Sequence, residues 1–392
     1  MMINSIMWII TYFLTFKLLS LIICSMIHYS KKYKKTNYKP MVSILIPCYN
    51  ESLTLLNCVN SIIKQNYKNF EILIIDDGST DNTLDVAKNI NNKKVKVFTK
   101  KNGGKASALN YGIKNAKGEL IISLDADSIF IKNTLQEITK PFVNKNTVAC
   151  CGNIKISNPN NILTNLQSLE YISGLNIQRR TFAYLNCMQV ISGAIGCFRK
   201  DKLLEINGYS TDTIVEDMDI TIAISKLGNV DYIGDAIAYT EAPENIKDFC
   251  KQRYRWVYGS FEVLFKYKDM LFNTKNITRM GSIGLPYIIV SMIIDVLITI
   301  LGMYIIIYNI FIIYDTTILI LLTLVISLQF IIFLYCNILD SVSIKSSIIF
   351  TPLYTLIYSP IINLIMIYSF IHFCIGTKPT WNKVKRLGKN VI

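Results

Sequence analysis

Between His28 and His372 the chain contains no histidine at all. Over that stretch the absence excludes a Ser-His-Asp triad, a Cys-His pair and a histidine-ligated zinc site. Acid–base chemistry there has to come from a carboxylate. The ten cysteines are scattered, with only Cys150 and Cys151 adjacent, and none stands in a C-x-x-C or other metal-ligand spacing. They read as small buried hydrophobes. No Gly-x-x-x-x-Gly-Lys-Ser/Thr segment occurs, and Gly103-Gly104-Lys105 is too short to replace it, so an ATPase reading has little support. The basic run Lys93 to Lys101 has no nucleic-acid-binding motif beside it and reads as a solvated face, so nucleic acid is not an expected partner. There is no internal repeat and no low-complexity linker.

What the chain has in quantity is apolar sequence. Hydrophobic residues make up 51% of its 392 positions, and they cluster. One run covers Ile6 to Ile27; others lie at about 283–313, 318–339 and 348–375. A bilayer-spanning helix needs roughly 20 apolar residues, and each run is long enough. The first run reads as a retained anchor. A secretory signal is the other reading, but this run is long, no basic region precedes it and no small-residue cleavage site follows. Lys31, Lys32, Lys34 and Lys35 come next, which places that end in the cytoplasm. The formal net charge is +14, much of it in residues 31–39 and 378–389. Anionic headgroups of membrane lipid would attract it there.

From Met41 the pattern alternates between short apolar strands and helices. Strands are expected at 41–47, 71–75, 95–98 and 119–124, with helices at 51–66, 81–91 and 105–116. Leu53, Leu56, Val59, Ile62 and Ile63 form the apolar side of the first helix. This order implies an α/β domain with a mostly parallel sheet, and such sheets bind ligands beyond the carboxyl ends of their strands. Three polar clusters fall there: Pro47 to Glu51, Asp76-Asp77-Gly78 and Asp125-Ala126-Asp127. Further on, 161–184 reads as helix and Gln189 to Ser192 as a strand. Val215-Glu216-Asp217 precedes a helix from near Met218, Val230 to Ile233 and Ala236 to Tyr239 are short strands, and Ile246 to Tyr267 is amphipathic.

Asp125 and Asp127, one residue apart at a strand end, suit a hard divalent cation held through oxygen, with substrate phosphates completing its shell. Lys105 adds positive charge. Arginine presents a fork that matches phosphate, and an aromatic neighbour can stack on a ligand. Gln252-Arg253-Tyr254-Arg255-Trp256, just ahead of the long apolar region, combines the two. Other readings stand beside these. Asp217 is also a plain helix N-terminal carboxylate, Trp256 an interfacial anchor, Arg253 and Arg255 headgroup ligands, and Asp77 a support for its turn.

The ordered set of Asp-x-Asp, Glu-Asp and Gln-x-x-Arg-Trp resembles the processive family 2 glycosyltransferases, which include cellulose, chitin and hyaluronan synthases. The nearest likeness is to the poly-β-1,6-N-acetylglucosamine synthases. It rests on Gly104-Lys105-Ala106 with Ala108-Leu109-Asn110, Leu124 to Asp127, and Ser192-Gly193-Ala194. Glu216-Asp217, Lys251-Gln252-Arg253, Arg255-Trp256 and Gly259 complete it. The resemblance implies a GT-A nucleotide-sugar-binding domain and an inverting displacement that joins β-linked sugars from a UDP-sugar, UDP-GlcNAc for the nearest likeness, into an exopolysaccharide. By the same resemblance Pro47, Asn50, Glu51 and Asp76 line the uridine site and Asp125 lies near the ribose and diphosphate. Asp127, with Asp125, binds Mg²⁺ or Mn²⁺. Asp217 is the general base, with Glu216 beside it. Arg255 meets the leaving diphosphate, Gln252 positions the surface helix and Trp256 carries the acceptor sugar. One departure is visible: Val215 stands where the family usually has threonine.

The implied organisation is an anchor at 1–30, a cytoplasmic GT-A domain at 31–245, interface helices at 246–282, a transmembrane region at 283–377 and a basic tail at 378–392. Expected partners are the UDP-sugar donor, the growing polysaccharide, membrane lipid and, in some arrangements, a small membrane accessory subunit. Four single spans would leave Lys378, Lys383, Lys385, Arg386 and Lys389 outside, against the positive-inside rule. Pro352 and Pro360 are placed to turn the run 348–375 into a hairpin or to kink it. The tail, with Pro379 and Trp381, is a candidate gating segment over the active site. The alternatives are a transferase that adds one sugar to a lipid, a hyaluronan-, chitin- or cellulose-type synthase, and a non-catalytic export component.

Overall fold

The computed structural model describes residues 2–31, 33, 37–271, 278–309, 311, 316–340, 347–379 and 388. Lys32, Lys34 and Lys35 lie outside them, as do Trp381, Lys383, Lys385, Arg386 and Lys389 of the tail. The expectations placed on those residues therefore have no structural counterpart.

After the N-terminal helix α1 (Met2–Ser30) the chain alternates β1 (Val42–Cys48), α2 (Leu55–Ile63), β2 (Phe70–Asp76), α3 (Thr83–Lys88), β3 (Val95–Thr99), α4 (Lys105–Asn115) and β4 (Leu120–Ser123). These are the expected strands and helices within a few residues. All of β1 except Pro47, and all of β2, are buried, which explains their nearly continuous apolar sequence. Ile44 and Ile46 pack on one face of the sheet and Leu45 on the other, so helices cover both faces. The inward stripe of α2 differs from the expected one: Leu55, Cys58, Val59 and Ile62 are buried, whereas Leu53 and Leu56 are exposed. The helix starts four residues later than expected, which leaves Leu53 ahead of it, and Leu55 and Cys58 take the inward positions.

The second half adds β5 (Ile129–Phe130), α5 (Thr134–Thr139), β6 (Thr147–Ile156), α6 (Ile162–Ser173), α7 (Arg179–Tyr184), β7 (Gly196–Arg199), α8 (Lys200–Glu205), α9 (Glu216–Ile224) and β8 (Asn229–Thr240). The sheet order is β3-β2-β1-β4-β7-β6-β8-β5. Strands β1 to β4 run parallel; β7 is antiparallel to both β4 and β6. Gln189 to Ser192 is not a strand. The chain there is irregular, turns at Gly193-Ala194 and pairs only from Gly196, wedged between β4 and β6. The two short strands expected around 230–239 are one strand with a register shift against β6 between Gly152 and Asn153.

The amphipathic helix α10 (Ile246–Lys266) starts at Asn245, whose side chain accepts from the Asp248 amide at 2.9 Å. Three later segments, Met280–Tyr308, Ile318–Leu339 and Ser347–Ile375, are long and apolar enough to cross a membrane. They coincide with or include α11 (Leu285–Tyr308), most of α12 (Thr316–Leu339), α13 (Thr351–Leu353) and α14 (Ser359–Ile375). No hairpin forms at Pro352 or Pro360: the segment stays helical, with a π turn at Tyr354–Tyr358 between the two prolines.

That last segment rests on the α/β domain at both ends. Ser347 Oγ donates to Asn165 of α6 at 2.7 Å, and Tyr358 OH donates to Glu170 of α6 at 2.5 Å. At the other end, Tyr254 of α10 is 3.0 Å from His372, and Lys378 Nζ is 3.6 Å from Glu262 of α10.

Candidate active site

The loops after β1 and β2 are tied together by asparagine and hydroxyl side chains. Register places Cys48 beside Asp76. Asn50 has φ 58°, a left-handed conformation that asparagine tolerates. Its Oδ1 accepts from the Thr80 amide at 2.8 Å, and the Glu51 amide donates to Thr83 Oγ1 at 2.7 Å. Asp76 is buried and accepts from the Ser79 amide and Thr99 Oγ1 at 3.3 and 3.1 Å. Pro47 is half-buried at the end of β1. Asp77 supports the neighbouring loop: it accepts from Lys100 Nζ at 2.6 Å and from the Gly103 and Gly104 amides at 3.1 and 2.7 Å. Gly104, at φ 85°, then opens α4 with Lys105 as its first residue.

Lys105 is the centre of the constellation. Its Nζ lies 2.7 Å from Asp125 Oδ1 and 2.9 Å from Glu216 Oε1. Burial alone would lower its pKa, but the carboxylates of Asp125, Glu216 and Asp217 hold it well above the usual lysine range. Gly193 is packed against this ammonium: a Cβ there would meet Lys105 Nζ at 2.4 Å and Asp125 Oδ1 at 3.3 Å. The Ser192-Gly193-Ala194 turn thus has glycine where the lysine passes. Asp127 lies deeper; it is buried, and Thr240 Oγ1 donates to its Oδ2 at 3.4 Å. Among the described residues, no group of three or more His, Cys, Asp or Glu side chains forms a ready-made cation site.

The helix α9 starts at Glu216, two residues earlier than expected, so Glu216 and Asp217 both occupy its first turn. The Met218 amide donates to Asp217 Oδ1 at 2.9 Å. Burial and the adjacent Glu216 carboxylate push the Asp217 carboxyl up to about 6, against the opposing pull of Lys105. That value suits a general base near neutral pH. Asp219, two residues on, is not available for this role. It is buried, accepts from Tyr267 OH at 2.7 Å and pairs with Lys266 at 2.8 Å.

Helix α10 backs this turn. A Cβ on Gly259 would meet Val215 Cγ1 at 2.6 Å, so the valine fills the notch left by the glycine. The threonine hydroxyl missing at 215 is thereby replaced by packing. Arg253 is structural here: its guanidinium makes a two-pronged bond to Glu170 at 2.8 and 2.6 Å and lies 4.6 Å from the Trp256 ring. Neither Arg253 nor Gln252 is at the surface. Trp256 is half-buried against the cluster containing Val215 and Met218. Arg255 is half-exposed and has no hydrogen-bond or ion-pair partner among the described residues.

The structure therefore brings together Lys105, Asp125, Glu216 and Asp217, with Gly193 beneath them. Asn50, Glu51 and Asp76 belong to the neighbouring loops of β1 and β2. Glu170, Glu262 and Asn110 carry structural roles that the sequence reading did not assign. Asn110 Oδ1 accepts from the Tyr209 amide at 2.8 Å, and its Nδ2 donates to the Tyr209 carbonyl at 2.7 Å. That Glu170 is the only charged residue of α6 was the available signal for it.

A mostly parallel mixed sheet with this acidic edge is the GT-A glycosyltransferase fold. Residues 43–206 match the family model described as glycosyl transferase family 2. It is 33% identical over 229 residues to a poly-beta-1,6-N-acetyl-D-glucosamine synthase of Staphylococcus aureus (strain COL), covering 57% of this chain and 56% of that protein. It is 34% identical over 231 residues to the synthase of the same name from Staphylococcus epidermidis, with the same coverage. The chain thus spans about half the length of the curated relatives it matches. Among solved structures it resembles the mannosyltransferase PcManGT from Pyrobaculum calidifontis in complex with GDP-Man and Mn²⁺. The TM-score is 0.63 at 15% identity, over 96% of this chain and 100% of that one. This likeness concerns the fold.

Proposed function

We propose that this chain is a membrane-embedded inverting glycosyltransferase that polymerises a β-linked amino-sugar polysaccharide, poly-N-acetylglucosamine, from UDP-GlcNAc. The observation that carries the reading is the Lys105 bridge between Asp125 and Glu216, with Asp217 poised near neutral pH beside it. The similarity to the two staphylococcal synthases supports the choice of sugar.

Asp217 takes the proton of the acceptor hydroxyl as that oxygen attacks the anomeric carbon. The bond from that carbon to the diphosphate oxygen breaks, and UDP leaves. An α-linked donor gives a β-linked product. Asp125 and Asp127 offer two carboxylates, a donor set that fits a magnesium or manganese ion completed by diphosphate oxygens and water. Such an ion neutralises diphosphate charge when bound. Lys105 and the half-exposed Arg255 add positive charge for the departing UDP. Pro47, Asn50, Glu51 and Asp76 border the nucleoside. Gln252 holds its helix in place, and Trp256 offers an aromatic edge to the acceptor.

The α/β domain lies in the cytoplasm, held by α1, and the product leaves through the membrane segment. Because both ends of Ser347–Ile375 touch α6 and α10, Lys378 stays on the cytoplasmic side, as its charge requires.

Purified full-length chain given UDP-GlcNAc and Mg²⁺ or Mn²⁺ is expected to make long chains that N-acetylglucosaminidase degrades. A product limited to a monoglycosyl lipid would refute processivity, and loss of nothing in Asp217→Asn would refute the base.

A further inference from the structure

A cavity of about 570 Å³ lies at the edge of the sheet away from the nucleotide loops. Its walls include Thr147 and Asn229, the first residues of β6 and β8, whereas the Asp125 and Gly193 turns lie beyond the other ends of their strands. The other walls are Ile27, His28 and Lys31 at the end of α1, and Arg279 at the start of the first C-terminal apolar segment. The volume is in the range of pockets that hold small ligands.

Its charge is cationic. Arg279 is exposed; among the described residues it donates to the Leu185 carbonyl alone, at 3.4 Å, and has no carboxylate partner. The one acid in the wall, Asp231, is already saturated: His28 Nε2 at 3.1 Å, Lys31 Nζ at 2.6 Å and Tyr33 OH at 2.6 Å all reach it. Those contacts hold its carboxyl well below the usual range against the cost of burial, so it stays ionised and balances one of the two cations. His28 is buried, and its Nδ1 has no hydrogen-bond partner among the described residues.

We infer that this cavity binds the phosphate of an anionic membrane phospholipid, between the ends of α1 and of the first C-terminal segment. Two features favour a lipid over a soluble phosphate. The cavity opens where two apolar helices meet the α/β domain, the depth at which headgroups sit. Ile23, Met26 and Ile27 of α1 and Ile283 beyond Arg279 are exposed beside it, ready for acyl chains. The inference is independent of the transferase reading, since it concerns the opposite edge of the sheet.

Native mass spectrometry of the delipidated full chain tests it. Dioleoylphosphatidylglycerol should be retained at least tenfold better than dioleoylphosphatidylcholine. Arg279→Gln, which removes an exposed side chain with one carbonyl contact, should abolish that preference. Asn229→Phe, at the exposed lip, should do so by filling the cavity, whereas Lys88→Gln, on the exposed side of α3, should not. Equal retention by wild type, Arg279→Gln and Asn229→Phe would overturn the site. Displacement of the bound lipid by millimolar inorganic phosphate alone would overturn the assignment to a lipid.

Discussion

Two neighbouring carboxylates, Asp217 and Asp219, differ only in their surroundings, and that difference assigns their roles. Asp219 is consumed by Lys266 and Tyr267, while Asp217 faces Glu216 and Lys105 with its pKa raised to about 6. If Asp217 is the base, kcat/KM should fall as pH drops through about 6, because the protonated form cannot accept the hydroxyl proton. Asp217→Asn should cost about 10²–10⁴-fold in turnover. The same raised pKa has a stability consequence of known sign. The folded chain binds this proton more tightly than the unfolded one, so ionisation above pH 6 weakens the fold, and the penalty fades as pH falls from 6 towards 4. Asp217→Asn should therefore melt higher than wild type at pH 8 and match it near pH 4. Gly193→Ala makes a separate prediction. The added methyl displaces the flexible end of Lys105 and leaves the backbone alone, so KM for the donor should rise while Tm stays within a degree or two.

At the scale of elements, the Gln-x-x-Arg-Trp helix divides its labour. Arg253 and Glu170 join α10 to α6, with Tyr358 OH bonded to the same carboxylate. Arg253→Ala should destabilise by roughly 3 kcal/mol, the usual cost of breaking a largely buried pair. A double-mutant cycle with Glu170→Ala should return most of that as coupling. The Val215–Gly259 notch predicts a rescue. Gly259→Ala overpacks against Val215 and should lower activity, and Val215→Ala in the same chain should restore much of it.

The elements also show what could be read from residues alone. Strands β1 and β2 announced themselves as apolar runs. Strand β6 did not, because Asn153 and Lys155 interrupt it. Both are buried in the fold, Asn153 donating to the Gly234 carbonyl at 3.0 Å and Lys155 paired with Asp340. Satisfied polar residues inside a strand imitate a loop. The carboxylates at the strand ends were legible because sheet order alone gathers them. The Glu170–Arg253 pair was not, because 83 positions separate the partners and only the docking of α6 on α10 unites them.

For the whole molecule, the α/β domain is bound to the apolar helices at several points. Thr181 Oγ1 donates to the Leu21 carbonyl of α1 at 2.9 Å, Arg180 Nη2 donates to the Leu339 carbonyl of α12 at 3.3 Å, and Lys155 pairs with Asp340 after α12. The C-terminal end of α12 and both ends of Ser347–Ile375 thus lie on the domain's side. A cysteine at Lys378, in a background lacking Cys374, should react with a membrane-impermeant maleimide only after permeabilisation of cells. Labelling of intact cells would show that the last segment crosses.

This arrangement has a consequence for biogenesis. Met280–Tyr308 and Ile318–Leu339 can enter the bilayer as a pair during synthesis, each apolar enough to be inserted on its own. Ser347–Ile375 is the least apolar of the three and carries asparagine, histidine, serines, tyrosines and two prolines. Its resting place depends on α6 and α10, which are synthesised first. The insertion machinery and the finished domain then compete for the same segment, and the speed with which α10 docks on α6 decides which of them receives it.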